Sequence, residues 1–325
     1  KYIALAYSGK LFYSTNGITW TATTGLQSLG INSIIADIVP VTYQDGSIRY
    51  VTGGWWTPLW AISADLITWT DLNGPSLPDW DSVSYVGSNT LIALNGGTTG
   101  YKSTDGGATW GTFTLPASGI MQICKAPNGN YVVVGYMNSA YTSPDLVTWT
   151  QRAFSSTLPN SGIWYPNGLI SNGTILYSWS YFGNYTYYYT SSDSGVTWSM
   201  RTYPSLVQNT GPFAAVWTGS YYLAPMLSDS SIYKSADAIN WTKVSLSQSY
   251  WDIAYGNGIV IAVNTAGEYA KSTDSGATWT ESIISSLSSA STMAISYANG
   301  VFVAFDANNG RGAYSTNGTT WTTTA

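Results

Sequence analysis

Histidine is absent from the 325 residues, and cysteine occurs once, at Cys124. The first absence removes the commonest metal ligand and the commonest acid–base group, and with them zinc sites and Ser-His-Asp or Cys-His catalysis. The second removes any disulfide framework. Cys124 follows the apolar run Ile120-Met121-Gln122-Ile123 and reads as a small buried hydrophobe. Charge is scarce too: 8% of residues, with 11 Lys+Arg against 16 Asp+Glu and a net charge of −5. The basic residues are scattered and form no stripe that could neutralise phosphates, so no nucleic-acid partner is expected. No apolar run reaches the ~18 residues that cross a bilayer as a helix, so no membrane insertion is expected. Neither a cofactor nor a metal is expected.

What the chain has in quantity is aromatic and hydroxyl-bearing residues, 16 Trp and 26 Tyr among them, and one short phrase repeated eight times. The phrase opens on Ser and closes on Thr-Trp or Asn-Trp: residues 14–20, 63–69, 103–110, 143–149, 191–198, 235–241, 272–279 and 315–321. Successive tryptophans are separated by 49, 41, 39, 49, 43, 38 and 42 residues. Periods of that size belong to repeats built from one small sheet. Within 119–152, Gly119 to Cys124 reads as a strand, Asn128-Gly129 as a tight turn and Tyr131 to Tyr136 as a second strand. Ala140 to Ser143 and Val147 to Arg152 read as the third and fourth, with Pro144-Asp145-Leu146 turning between them. Second strands such as Ile259-Val260-Ile261-Ala262-Val263 are apolar at consecutive positions, so both faces must be covered. Sheets packed face to face around an axis meet that demand.

The expected fold is therefore all-β, a single β-propeller domain of four-stranded antiparallel blades. Its blade repeats run approximately over 1–24, 31–73, 81–115, 119–154, 162–204, 212–247, 251–285 and 291–325. The first repeat starts at its second strand, so eight blades with the first incomplete are expected, the missing strand lying upstream of a trimmed chain. A seven-bladed ring with the extra strands packed outside it is the alternative.

The repeated phrase resembles the Asp box, or bacterial neuraminidase repeat, of sialidase-like propellers, Ser-x-Asp-x-Gly-x-Thr-Trp. Residues 103–110, 191–198 and 272–279 fit it at every fixed position. The others are one residue shorter, and Asn16 and Asn317 replace the acid in two. The resemblance implies that the box is a hairpin turn on the rim away from the ligand face. An Asp that accepts turn N–H groups, a Gly at positive φ and a Trp between sheets suit that role. Asp65, Asp105, Asp145, Asp193, Asp237 and Asp274 are accordingly read as structural.

Sialidase chemistry, which the resemblance brings to mind first, needs three arginines around a carboxylate and an Arg-Ile-Pro phrase. Only Arg49, Arg152, Arg201 and Arg311 exist, no Arg-Ile-Pro occurs, and Arg152 and Arg201 follow box tryptophans on outermost strands. A general glycosidase needs two carboxylates about 5 to 10 Å apart. Asp81 and Asp252 are the candidates, each following a Trp and opening an innermost strand that holds a Tyr. Aromatic loops on the face opposite the boxes make the stronger case for ligand contact: Trp55, Trp56, Trp80, Trp251 and the run Trp179, Tyr181, Phe182 and Tyr185, read as a loop. Rings among Asn, Ser, Thr and Gly suit sugar faces and protein interfaces. The expected function is a non-catalytic, lectin- or adhesin-like binding propeller that recognises a glycan or protein surface, extracellular or on a virion. A glycoside hydrolase of Asp-box type and a structural part of a larger, phage-like assembly are the alternatives.

Overall fold

The computed structural model describes residues 2–5, 11–15, 19, 21–23, 35–42, 47–54, 57–65, 68–71, 82–87, 89–135, 139–154, 164–183, 187–204, 211–227, 229–288, 293–298, 300–306 and 311–323. Among these residues the strands form eight separate sheets, and the only described helical element is the short 3-10 turn Ser285–Leu287. Six sheets have four strands, the first has three and the fifth has five.

Each sheet is a meander in which chain order is spatial order, as sheet seven illustrates. Its strands are Asp252–Gly256, Ile259–Val263, Glu268–Ser272 and Thr280–Ile283. Asn257 and Gly258 join the first two with φ of 50° and 76°, the paired left-handed conformations that a right-twisted two-residue hairpin requires. In the second strand Val260, Ile261, Ala262 and Val263 are all 0% exposed, because alternate side chains enter different cores. Ile261 and Val263 pack with Phe302 and Ala304 of sheet eight. Val260 and Ala262 pack with Leu223 and Ile232 of sheet six. A strand covered on both faces stabilises each interface by about 1.5–3 kcal/mol per buried aliphatic side chain.

Innermost strands follow one another in space. Ile35–Thr42 lies beside Ser82–Gly87, which lies beside Ile120–Lys125, which lies beside Trp164–Ser171. Val216–Trp217 likewise lies beside Asp252–Gly256, and that beside Met293–Ala298. The turns between third and fourth strands thus share one face, the box face. The loops from second to third strands and from one sheet to the next share the other, the loop face.

Two expectations about strands are corrected. The fourth strand of sheet four is only Thr150–Gln151, after which Ala153–Phe154 leaves the sheet and pairs in parallel with Thr197 and Trp198 of sheet five. The Phe154 ring, stacked on Trp198 at 6.0 Å and edge-on to Tyr189 at 4.7 Å, anchors that crossing. The run 179–183 is not a loop. Leu176–Gly183 is one strand that pairs with the third strand only as far as Trp179 and with the first strand all the way to Gly183 opposite Trp164. Sheet five therefore stands out on the loop face as a two-stranded ribbon. Its extra length accounts for one of the two 49-residue periods.

Candidate functional site

On the box face, the phrases whose turns are described build the same hydrogen-bonded turn. The Ser hydroxyl donates to the acid's Oδ1, at 2.8 Å for Ser103–Asp105, 2.7 Å for Ser191–Asp193 and 2.8 Å for Ser272–Asp274. It also accepts the N–H of the residue in the left-handed region, Gly107, Leu146, Gly195, Gly276 or Gly318. The acid's Oδ1 then accepts the N–H of the Thr or Asn before the Trp, as in Asp65 with Thr68 (2.8 Å), Asp145 with Thr148 (2.7 Å) and Asp237 with Asn240 (2.7 Å). Asn317 makes the same bonds with its amide oxygen. The backbone N–H groups of Thr148 and Val147 hold Asp145 below the usual carboxylate range, and the Thr148 and Ser143 hydroxyls add to them. For Asp105, Asp193 and Asp237, partial burial works upward but the turn hydrogen bonds outweigh it, bringing Asp237 down to about 2. The Thr278 hydroxyl is the largest influence depressing Asp274. These acids sit one per turn on separate sheets, with their oxygens committed to their own turn.

The sign of the resulting acid sensitivity is fixed. A carboxyl depressed in the folded state stabilises the fold above its unfolded value of 3.8 and loses that contribution as pH falls toward the folded value. The denaturation midpoint should hold steady between about pH 7 and about pH 5 and drop below about pH 4. Asp237→Asn, which retains the acceptor as Asn317 does, should shrink the drop. Urea titrations at a series of pH values test this, and an unchanged drop in the variant would refute it.

On the loop face, Asp252 is half-buried at the head of the innermost strand of sheet seven. Its Oδ1 accepts the N–H of Ile253 and its Oδ2 accepts the N–H of Ile295 on the innermost strand of sheet eight, both at 2.9 Å. Burial raises its pKa, with those two hydrogen bonds working against the shift. The carboxylate is a clip between adjacent sheets. Asp81 lies outside the described residues. Asp252 stands opposite Val263, the position that Ser82 holds opposite Leu94 in sheet three. Among the described residues no group of three acids or thiols is arranged to hold a metal ion. Burial pushes the Cys124 thiol up to about 12, which keeps it protonated.

The aromatic candidates separate. Trp55, Trp56, Trp80 and Tyr185 lie outside the described residues, and for Tyr181 and Phe182 the backbone alone is described, on the sheet-five ribbon. Trp179 is corrected. It is 5% exposed, lies 5.1 Å from the Tyr177 ring, and covers Gly168 so closely that a Cβ there would sit 2.1 Å from the indole. It belongs to an aromatic core with Tyr188, Tyr203, Tyr222 and Trp241. Trp251 is half-buried and meets Phe213 at 5.6 Å, tilted by 60°. Phe213 is 43% exposed and was missed in the sequence, where it stands alone in Thr210-Gly211-Pro212-Phe213. Its place at the loop-face end of sheet six comes from the bridge between Pro212 and Met226.

No protein-family model and no curated protein matches this sequence. Solved structures match its shape. Virginiamycin B lyase from Staphylococcus aureus is 15% identical, with 85% of this chain and 93% of that one covered at a TM-score of 0.62. Sqt1 from Saccharomyces cerevisiae is 11% identical, with 85% and 81% covered at 0.62. YCF48 bound to D1 peptide is 18% identical, with 82% and 86% covered at 0.57. This chain is a β-propeller. Identities this low carry the fold of that propeller and nothing about its ligands.

Proposed function

We propose that the chain is a non-catalytic binding propeller of the Asp-box type, its repeats forming an eight-bladed ring, and that its loop face recognises a glycan or protein surface. The observation that carries this is the Phe213–Trp251 pair, an exposed ring against a half-buried one on adjacent sheets. Aromatic surface left in water is characteristic of recognition sites. The acids point the same way, since the box carboxylates and Asp252 are occupied by structural hydrogen bonds. A histidine-to-alanine form of the similarly shaped lyase is catalytically inactive, and this chain has no histidine to play such a part. YCF48, by contrast, was solved with a peptide bound. A weakly charged surface rich in Tyr, Trp, Ser and Thr fits an extracellular or virion setting.

The test is a glycan array and a displayed peptide library probed with the wild-type protein and with Phe213→Ala/Trp251→Ala. Losing two aromatic anchors should weaken binding at least ~10-fold, about 1.4 kcal/mol, with the circular dichroism spectrum unchanged. Binding to neither library, or equal binding by the variant, would overturn the proposal.

A further inference from the structure

The box face carries a feature that the loop-face function does not use. Grooves open at the same place in sheets two, three and seven, between the third and fourth strands, and those of sheets three and seven also meet the next sheet. In sheet seven the groove encloses ≈ 230 Å³ and is lined by Tyr269, Lys271, Thr273, Thr278, Thr280 and by Thr319 of sheet eight. In sheet three it encloses ≈ 330 Å³ and is lined by the equivalent Lys102, Thr104 and Thr109, with Phe113 and, from sheet four, Asp145 and Val147. In sheet two the corresponding Ile62, Asp65, Thr68 and Thr70 enclose ≈ 280 Å³.

Sheets four and five close this place with their own chain. Two residues beyond the strand position opposite Thr190 stands Arg201, whose Nε donates to the Thr190 hydroxyl at 2.8 Å. Arg152 does the same to Thr142 at 2.6 Å. In sheet seven the residue in the arginine's position is Ser282, and Lys271 replaces the threonine. In sheet seven a short side chain thus leaves open what a guanidinium fills elsewhere, and in sheet three Phe113 holds that position with its ring laid over Gly100 and lines the groove. The filled copies also show that hydroxyls at this spot accept a polar group laid across the two strands.

We infer that the open grooves of sheets three and seven are a second, repeated set of sites, each taking one neutral sugar residue of a glycan. The volume is at or below the lower end of the ~300–1,000 Å³ that holds drug-sized ligands, which suits a single ring. The hydroxyls of Thr104, Thr273 and Thr280 can both donate and accept, and those of Thr109 and Thr278, which donate to Asp105 and Asp274, still accept. Lys271 spends two donor bonds on the Asn317 carbonyl and the Thr319 hydroxyl, both at 2.7 Å, and an ammonium has three to give. The half-buried Phe113 ring supplies in sheet three the apolar contact that the C–H face of a sugar requires, and in sheet seven the methyl groups of Thr273, Thr278 and Thr280 supply it. Asp145 lines the sheet-three groove and Asp274 is bonded to the Thr278 hydroxyl of the sheet-seven groove, so these carboxylates offset Lys102 and Lys271 and, with a net charge of −5, disfavour anionic ligands.

Methyl glycosides of glucose, galactose and mannose, with methyl glucuronide as the anionic control, test this in spectra of protein labelled at threonine methyl groups. Open grooves of this size hold ligands weakly, so the probes are used at about 10 mM. At least one neutral glycoside should shift the methyl signals of Thr273, Thr278 and Thr280 and of Thr104 and Thr109. Lys271→Thr/Ser282→Arg, which copies sheets four and five, should abolish the sheet-seven shifts and leave those of sheet three. Phe213→Ala/Trp251→Ala should leave both sets in place, so that failure here is distinct from failure of the loop-face function. If the double variant does not give the wild-type spectrum, Ser282→Arg alone serves. Silence with all three neutral glycosides, shifts that persist in the filled variant, or shifts by the glucuronide alone would overturn the inference.

Discussion

Replacing Trp198 by alanine is expected to cost about 3–5 kcal/mol of folding free energy, the range for deleting a large buried ring. Trp198 is 1% exposed and closes the turn of sheet five against sheet four, packed with Val132, Val134 and Tyr189. Its indole N–H donates to the Gly195 carbonyl at 3.1 Å, and Phe154 stacks on it. The alanine variant loses the ring, the turn hydrogen bond and the anchor of the crossing strand Ala153–Phe154 together. Trp198→Phe keeps most of the buried area and should cost roughly 1–2 kcal/mol, the share of one satisfied N–H and a smaller ring. The longer turns give the same bond to Trp110 and Trp279, at 3.0 and 3.2 Å. The shorter turns lack the residue that brings the carbonyl under the indole, and the buried N–H groups of Trp149 and Trp321 have no partner among the described residues. Trp149→Phe should therefore be milder than Trp198→Phe. Urea denaturation checks both comparisons: a loss below about 1 kcal/mol for Trp198→Ala would deny the tryptophan its part in holding adjacent sheets.

The contrast between long and short turns shows where sequence and structure part. Eight phrases at a period near 40 residues were enough to read small antiparallel sheets, their hairpin turns and the doubly covered second strands, because turn chemistry and apolar runs act locally. What escaped depended on the neighbour. Trp179-Ser180-Tyr181-Phe182-Gly183 reads as an exposed loop when its polar residues are weighed alone. Its second strand instead belongs to a core where tyrosines replace aliphatic residues, and a buried tyrosine is tolerable only where its hydroxyl finds an acceptor. Tyr222 finds the Ile175 carbonyl at 3.0 Å and Tyr233 the Pro204 carbonyl at 2.8 Å. Those carbonyls come from a turn and a loop whose paths no local pattern reveals. Asp252 is tied for a related reason to a partner that no local pattern reveals, the N–H of Ile295 on the next sheet. Phe213 carried no signal beyond being aromatic; its exposure follows from a single bridge that lays Pro212 against Met226.

Gly276→Ala should destabilise the fold by about 2–5 kcal/mol, in two separable parts. Its φ of 81° lies in the left-handed region, where a Cβ costs about 1–2 kcal/mol. That Cβ would also sit 2.6 Å from Cδ2 of Leu223 on the second strand of sheet six, which is 0% exposed and has little room to withdraw. Overpacking of that kind adds about 1–3 kcal/mol. The same meeting recurs where Gly195 faces Val132 and Gly318 faces Ile261, so the box turn is a socket for the preceding sheet as well as a hairpin. Leu146 and Ala238 show the reciprocal solution. They hold the equivalent place at φ of 67° and 53°, accept the backbone cost, and bury their own side chains between the sheets. A double-mutant cycle separates the two parts. Leu223→Ala alone opens a cavity, but combined with Gly276→Ala it removes the clash, so the pair should cost at least ~1 kcal/mol less than the sum of the single changes. The backbone part persists in the double variant. Strict additivity would mean that Gly276 is required for its turn alone and that the socket contributes nothing to holding neighbouring sheets in register.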